Sequence, residues 1–132
     1  MKQNKLRIAV IGVGHLGEYH VQKYKGIPEV ELVGVVDVDA DRVTEIAQRY
    51  DTKAYGDHRD ILDRVDAVSL AVTTEMHFEV AKDILKKGIH MLIEKHNAPV
   101  IDAGALKNPV AVEQAVVENR NDRIFFVHQF TV

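Results

Sequence analysis

The sequence predicts one α/β domain built on a doubly wound, mostly parallel sheet with strand order 3-2-1-4-5-6. Short Val/Ile-rich runs alternate with longer helical patterns, as expected for parallel strands joined by helices on both faces. A glycine-rich turn follows the first strand, and 132 residues with 46% hydrophobic content suit one globular domain. We therefore treat residues 1–132 as a single domain.

The first strand–helix pair is predicted at Leu6–Ile11 and from about His15 to Lys25, where Gly26 and Pro28 end the helix. A second strand is predicted at residues 31–36. The next helix has its apolar residues at helical spacing and is capped by Asp39 or Asp41. Those apolar residues are Val43, Ile46 and Ala47.

In the middle of the chain, a weak third strand is predicted at residues 52–54 and one or two helical turns at 57–62. The continuous apolar run at 67–72 predicts a buried central strand. Periodic apolar residues predict a helix at 75–87, which ends at Gly88 before a fifth strand at 90–93.

Prolines and a glycine interrupt the pattern after the fifth strand, which predicts a loop at residues 97–108 with one helical turn at 101–106. Pro109 is suited to open a helix that continues through 110–119. The apolar residues at 123–127 predict a sixth strand.

Charge and composition exclude several classes of function. Seventeen basic against twenty acidic residues give a net charge of −3, with no basic run, which argues against a nucleic-acid partner. No apolar stretch approaches the roughly 18 residues of a membrane helix, and no signal-peptide core follows Met1, so we expect a cytoplasmic protein without a membrane partner. The absence of cysteine excludes disulfides and thiol nucleophiles.

The glycine turn has the pattern G-x-G-x-x-G between a predicted strand and a predicted helix. In this position the first glycine permits a tight turn, the second lets a pyrophosphate approach the backbone, and the third lets helix and strand pack closely. The pattern predicts a dinucleotide site, although a tight turn without a ligand would also use these glycines. The candidate cofactor-binding residues here are Gly12, Gly14, His15, Leu16 and Gly17.

Asp37 ends the second predicted strand, twenty positions after Gly17. A carboxylate there would accept hydrogen bonds from the adenosine ribose and repel a 2′-phosphate, so we favour NAD over NADP. Arg42 argues against this preference for NAD, because it could pair with the 2′-phosphate of NADP. The alternative is that Arg42 is a solvated helix residue.

Four segments resemble the glucose–fructose oxidoreductase and inositol dehydrogenase family of NAD(P)-dependent oxidoreductases. They are residues 10–20 (VIGVGHLGEYH), 32–37 (LVGVVD), 68–77 (VSLAVTTEMH) and 88–95 (GIHMLIEK). The resemblance implies a Rossmann cofactor domain in which Glu94 and Lys95 lie beside the nicotinamide and Lys95 polarises the reacting carbon–oxygen group. It also implies that Thr73, Thr74 and His77 border the cofactor.

The chain also departs from that family. Members are two to three times longer and have a C-terminal substrate domain that supplies a proton-transfer pair. We expect this chain to lack that domain and not to be catalytically complete alone. His96 and Thr73 replace the prolines expected at their positions. A truncated or redesigned domain and a natural degenerate paralogue would both show these changes.

Two other functions stay open from the sequence. The first is a non-catalytic binding or assembly module that forms a homo-oligomer through apolar surface near residues 125–132. The second is a histidine metal site at the carboxyl edge of the sheet, with Glu94 as a further ligand and His77, His96 and His128 as the imidazoles. No local ligand spacing supports the metal site.

Overall fold

The structure of the chain, a computed structural model, describes residues 5–72, 74–94 and 124–127. Strands and helices alternate through most of this part, and two 3₁₀ turns, His58–Asp60 and Leu62–Arg64, follow the third strand. The strands are β1 (Leu6–Ile11), β2 (Val30–Val36), β3 (Lys53–Tyr55), β4 (Ala67–Leu70), β5 (His90–Glu94) and β6 (Ile124–Val127). The helices are α1 (His15–Lys25), α2 (Ala40–Arg49) and α3 (Thr74–Lys86).

The strands form one six-stranded sheet in the order β3-β2-β1-β4-β5-β6. Strands β1 to β5 are parallel to one another, and β6 pairs antiparallel with β5. This arrangement confirms the predicted doubly wound, mostly parallel sheet and its strand order.

The register of the sheet aligns the carboxyl ends of neighbouring strands. Ile11 at the end of β1 lies opposite both Val36 of β2 and Leu70 of β4, and Val36 lies opposite Tyr55 of β3. Four loops therefore leave the sheet at one level, which is where ligands bind in open α/β sheets.

Apolar side chains fill both faces of the sheet because residues alternate between faces along each strand. On one face, Val10 and Val35 pack with residues of α1 and α2, among them Val21 and Ile46. On the other face a larger cluster packs against α3 and the 3₁₀ turns. Its central members are Ala9, Ile11, Ile61, Leu70, Val80, Ile84 and Met91.

The strand β1 and the helix α1 have the predicted bounds, and the bounds predicted for other strands and for α3 differ from the observed ones by one or two residues. The central strand β4 ends at Leu70 rather than at residue 72, because Ala71 and Val72 leave the ladder and line a cleft at the edge of the sheet. Asp39 rather than Asp41 caps α2, with its carboxylate accepting from the Arg42 N–H at 3.1 Å. The loop and helix predicted between residues 97 and 119 lie outside the described residues.

Candidate functional site

The first glycine of the turn holds β1, β2 and β4 together. Gly12 has φ +91°, and its N–H donates to the Val36 carbonyl at 2.7 Å. A Cβ on Gly12 would lie 2.6 Å from the carbonyl oxygen of Ala71. Both the backbone angle and the close approach of the residues that follow β4 therefore require glycine here.

The other two glycines of the motif have opposite surroundings. A Cβ on Gly17 would collide with the Gly12 carbonyl, so this glycine lets α1 pack against the turn. A Cβ on Gly14 would meet no atom within 4 Å, and Gly14 is the N-cap of α1 with no side-chain cap. Gly14 thus leaves open space in front of the free N–H groups of a helix, which suits a phosphate group.

Gly14 lines a cleft of about 530 Å³ at the carboxyl edge of the sheet. Its floor consists of residues at the ends of β1, β2 and β4, and its walls come from the turn after β3 and from α3. The lining residues are Ile11, Gly12, Gly14, Val36, Asp37, Val38, Gly56, Asp57, His58, Arg59, Ala71, Val72, Glu79, Val80 and Asp83.

Asp37 lies in this cleft directly after β2, and its carboxylate is already fixed by two backbone groups. Oδ2 accepts from the Val13 N–H at 2.9 Å, and Oδ1 accepts from the Asp39 N–H at 3.0 Å. Each carboxylate oxygen can accept about two hydrogen bonds, so each keeps one acceptor position for a further donor. A vicinal pair of ribose hydroxyls supplies two such donors.

Arg42 is directed toward the glycine turn. Its Nε donates to the Val13 carbonyl at 2.9 Å and its Nη2 contacts Glu18 Oε1 at 3.2 Å, while Nη1 lies 3.7 Å from Glu45 Oε2. The guanidinium is therefore engaged with a carbonyl and two carboxylates.

The wall after β3 carries charged residues that the sequence patterns did not single out. Arg59 donates to Asp57 through Nε at 3.0 Å and Nη2 at 2.7 Å, and this pairing holds the pKa of the Asp57 carboxyl well below its ordinary value. His58 Nε2 lies 2.8 Å from Asp83 Oδ2 and so connects this wall to α3. These residues share no motif spacing, and their proximity depends on the sheet order.

Val38 is a second residue that sequence reasoning missed. Its side chain is 85% exposed although it lines the cleft next to Asp37. The feature of the sequence that could have identified Val38 is an apolar residue directly after the aspartate that ends a strand.

The remaining predicted site residues that fall within the described part of the chain lie at the same edge of the sheet. His15 and Leu16 begin α1, and the side chain of Leu16 is 47% exposed. Thr74 and His77 lie in the first two turns of α3, and Glu94 is the last residue of β5. Four predicted residues lie outside the described part of the chain, namely Thr73, Lys95, His96 and His128.

The described residues contain neither a clustered metal site nor a membrane-spanning helix. Residues 5–72, 74–94 and 124–127 contain no group of three or more side chains that could hold a metal ion. Within the same ranges, no helix has the length and apolar character needed to cross a membrane.

Residues 6–117 match the family model described as "Oxidoreductase family, NAD-binding Rossmann fold" of the Gfo/Idh/MocA group. UDP-N-acetylglucosamine 3-dehydrogenase of Acidithiobacillus ferrooxidans is 44% identical over 90 residues, covering 68% of this chain and 28% of that protein. Myo-inositol 2-dehydrogenase of Thermotoga maritima is 33% identical over 93 residues, covering 68% of this chain and 28% of that protein. The chain thus spans less than a third of the length of these curated relatives.

Two solved structures superpose on most of this chain. The structure of the Acidithiobacillus ferrooxidans enzyme superposes with a TM-score of 0.68 at 36% identity, covering 89% of this chain and 36% of that one. GenD2 from gentamicin A biosynthesis, in complex with NAD, superposes with a TM-score of 0.70 at 26% identity, covering 91% of this chain and 33% of that one.

Proposed function

Because the chain belongs to the Gfo/Idh/MocA oxidoreductase family through its NAD-binding Rossmann domain, we propose that it binds NAD(H) in the cleft between Gly14 and Asp37. The open space at Gly14, in front of the N-terminus of α1, carries this proposal. A side chain would fill that space, whereas glycine leaves room for a pyrophosphate.

The lining residues fit the rest of the cofactor. The adenosine ribose would bind the two unused acceptor positions of Asp37. The adenine ring would cover the exposed side chain of Val38, since burial of apolar surface favours binding. His15 and Leu16 would border the phosphates at the first turn of α1.

We further propose that the cofactor is NAD rather than NADP. Asp37, Asp57, Glu79 and Asp83 give the cleft lining a strongly acidic character, and Arg59 is paired with Asp57. Arg42 would have to leave the Val13 carbonyl and Glu18 to meet a 2′-phosphate. Like charges at short range disfavour that phosphate.

A dinucleotide held in this cleft would supply a hydride acceptor in its oxidised form and a hydride donor in its reduced form. Following the family resemblance, we assign Glu94 and Lys95 to the nicotinamide end, with Lys95 polarising the substrate oxygen. Thr73, Thr74 and His77 would border the cofactor. Since the chain spans less than a third of the length of these curated relatives, we propose that it supplies cofactor binding and only part of a dehydrogenase site.

Calorimetric titration of the metal-stripped protein with NADH, NADPH and Zn²⁺ tests this function. We expect saturable NADH binding at one site, with NADPH at least about tenfold weaker, a difference of about 1.4 kcal/mol. Absence of dinucleotide binding would overturn the proposal. Stoichiometric Zn²⁺ binding together with that absence would favour the histidine site, and an even oligomeric state would then favour the assembly module.

A further inference from the structure

We propose that Arg42 is a positioning residue which, together with Glu18, fixes the backbone at Val13, between the first two glycines of the turn, in the orientation that receives the pyrophosphate. This inference rests on the proposed function. It assigns to Arg42 a role in shaping the phosphate site rather than in contacting a 2′-phosphate.

Val13 is the residue that this arrangement holds. It lies between the first two glycines of the motif, and its side chain is fully buried. Its N–H donates to Asp37 Oδ2 at 2.9 Å, and its carbonyl accepts from Arg42 Nε at 2.9 Å. Both polar backbone groups of Val13 are thus bonded to side chains from the β2–α2 segment.

Arg42 is held in its turn from two directions. Its backbone N–H donates to the capping carboxylate of Asp39 at 3.1 Å, which ties it to the start of α2. Its Nη2 contacts Glu18 Oε1 at 3.2 Å, and Glu18 belongs to the first turn of α1. The guanidinium therefore connects both helices to the turn.

Glu18 is itself fixed by α2 and the residue that follows it. Oε2 accepts from Arg49 Nη1 at 2.5 Å and from the Tyr50 hydroxyl at 3.1 Å. Partial burial acts to raise the pKa of Glu18, but the hydrogen bonds from Arg49, Tyr50 and Arg42 outweigh it, so the net pKa lies below the ordinary value. Glu18 is thereby maintained as the anion that Arg42 requires.

The fixed position of Val13 affects ligand binding because a flexible glycine lies on either side of it. Gly12 and Gly14 lack side chains that could restrict the backbone, so ordering this turn has a high conformational cost. Fixing Val13 before the ligand arrives removes part of that cost from binding. The effect should therefore appear for ligands that contain the pyrophosphate and be small for ligands that lack it.

The test compares ADP-ribose, which contains the pyrophosphate, with adenosine, which does not, in calorimetric and NMR titrations. We expect Arg42→Ala to weaken ADP-ribose and NADH about tenfold, while adenosine affinity changes less than about twofold. Arg7→Ala is the matched control, since it also removes an arginine paired with a carboxylate, Asp66, but lies at the start of β1, away from the glycine turn, and does not line the cleft. We expect it to retain ADP-ribose affinity within about threefold.

Several outcomes would overturn the inference. Equal losses for ADP-ribose and adenosine would indicate general destabilisation, and unchanged affinities would remove the role altogether. A selective loss of NADPH would make Arg42 a 2′-phosphate ligand. If the wild-type protein binds neither NADH nor ADP-ribose, the proposed function fails instead.

Hydrogen exchange of the ligand-free wild-type protein gives a second measurement that needs no variant to fold. We expect the Val13 amide to be protected, because it donates to Asp37. Exchange at the rate of an unstructured peptide would show that the turn is not fixed in advance and would overturn the inference.

Discussion

At the residue scale, Gly14 and Gly17 lie three positions apart but serve different purposes. A Cβ on Gly17 would collide with the carbonyl of Gly12, whereas a Cβ on Gly14 would meet no atom within 4 Å. The same glycine-to-alanine change should therefore affect folding at one position and ligand binding at the other.

We expect Gly14→Ala to leave the fold intact, at a cost of no more than about 1 kcal/mol at this N-cap. The added methyl group would occupy the proposed pyrophosphate position, so NADH binding should fall at least about tenfold. Calorimetry with NADH and urea unfolding of the same sample measure the two effects. Retained NADH affinity would contradict the proposed site.

We expect Gly17→Ala to destabilise the fold by about 3 kcal/mol or more, because the new Cβ would collide with a backbone carbonyl that cannot rotate away. Urea unfolding measures this loss. A variant as stable as the wild type would mean that α1 packs less closely on the turn than described.

Asp37→Ala should weaken NADH at least about tenfold, since the ribose would lose a charged acceptor. It should also reduce the preference for NADH over NADPH, because a repulsive charge is removed. Asp41→Ala is the matched control, an acidic residue of the nearby first turn of α2 that does not line the cleft. Equal affinities for Asp37→Ala and wild type would count against the site.

At the element scale, the sequence predicted the elements that carry strong local signals. The bounds of α1 and β1 follow directly from the glycine turn and from the breakers Gly26 and Pro28. The end of β4 was predicted two residues late, because apolar character cannot distinguish a strand residue from the cleft-lining residues Ala71 and Val72.

The candidate site was predictable only where residues follow a motif. Asp37 follows from its spacing to the glycines. The contact between Arg42 and Val13 depends on the direction of one side chain across two elements, which no spacing encodes. The wall formed by Asp57, His58 and Asp83 depends on where α3 crosses the sheet.

The cap of α2 gives a test of element stability. Asp39→Ala should cost about 1 kcal/mol, since the Arg42 N–H loses its acceptor. Asp39→Ser keeps a side-chain oxygen at the cap and should recover most of that loss. Urea unfolding of both variants is the measurement, and equal stability of Asp39→Ala and wild type would contradict the capping role.

At the scale of the whole molecule, paired carboxylates set the response to acid. Arg7 hydrogen bonds hold the pKa of Asp66 below its ordinary value of 3.8, and Arg59 does the same for Asp57. The pKa of Glu18 also lies below its ordinary value of 4.5, as the hydrogen bonds outweigh burial. In each case the unfolded state binds a proton more readily than the folded state.

The free energy of unfolding should therefore be highest above about pH 5 and decrease as the pH falls through 4.5 and 3.8 toward the lowered folded-state values. Urea unfolding between about pH 3 and pH 7 measures the slope. Salt should reduce this dependence, because the Arg7–Asp66 pair is substantially exposed. A stability that rises on acidification would contradict these pairings.

The lengths of the outermost strands have a consequence for behaviour at high concentration. Among the described residues, the sheet is bounded by β3, with three residues, and by β6, with four. A short edge strand exposes few unpaired backbone N–H and C=O groups, so a second molecule could form few hydrogen bonds with it by strand addition. We therefore expect concentrated solutions to resist fibril growth through the sheet edges, and any dimer to form through side-chain surfaces.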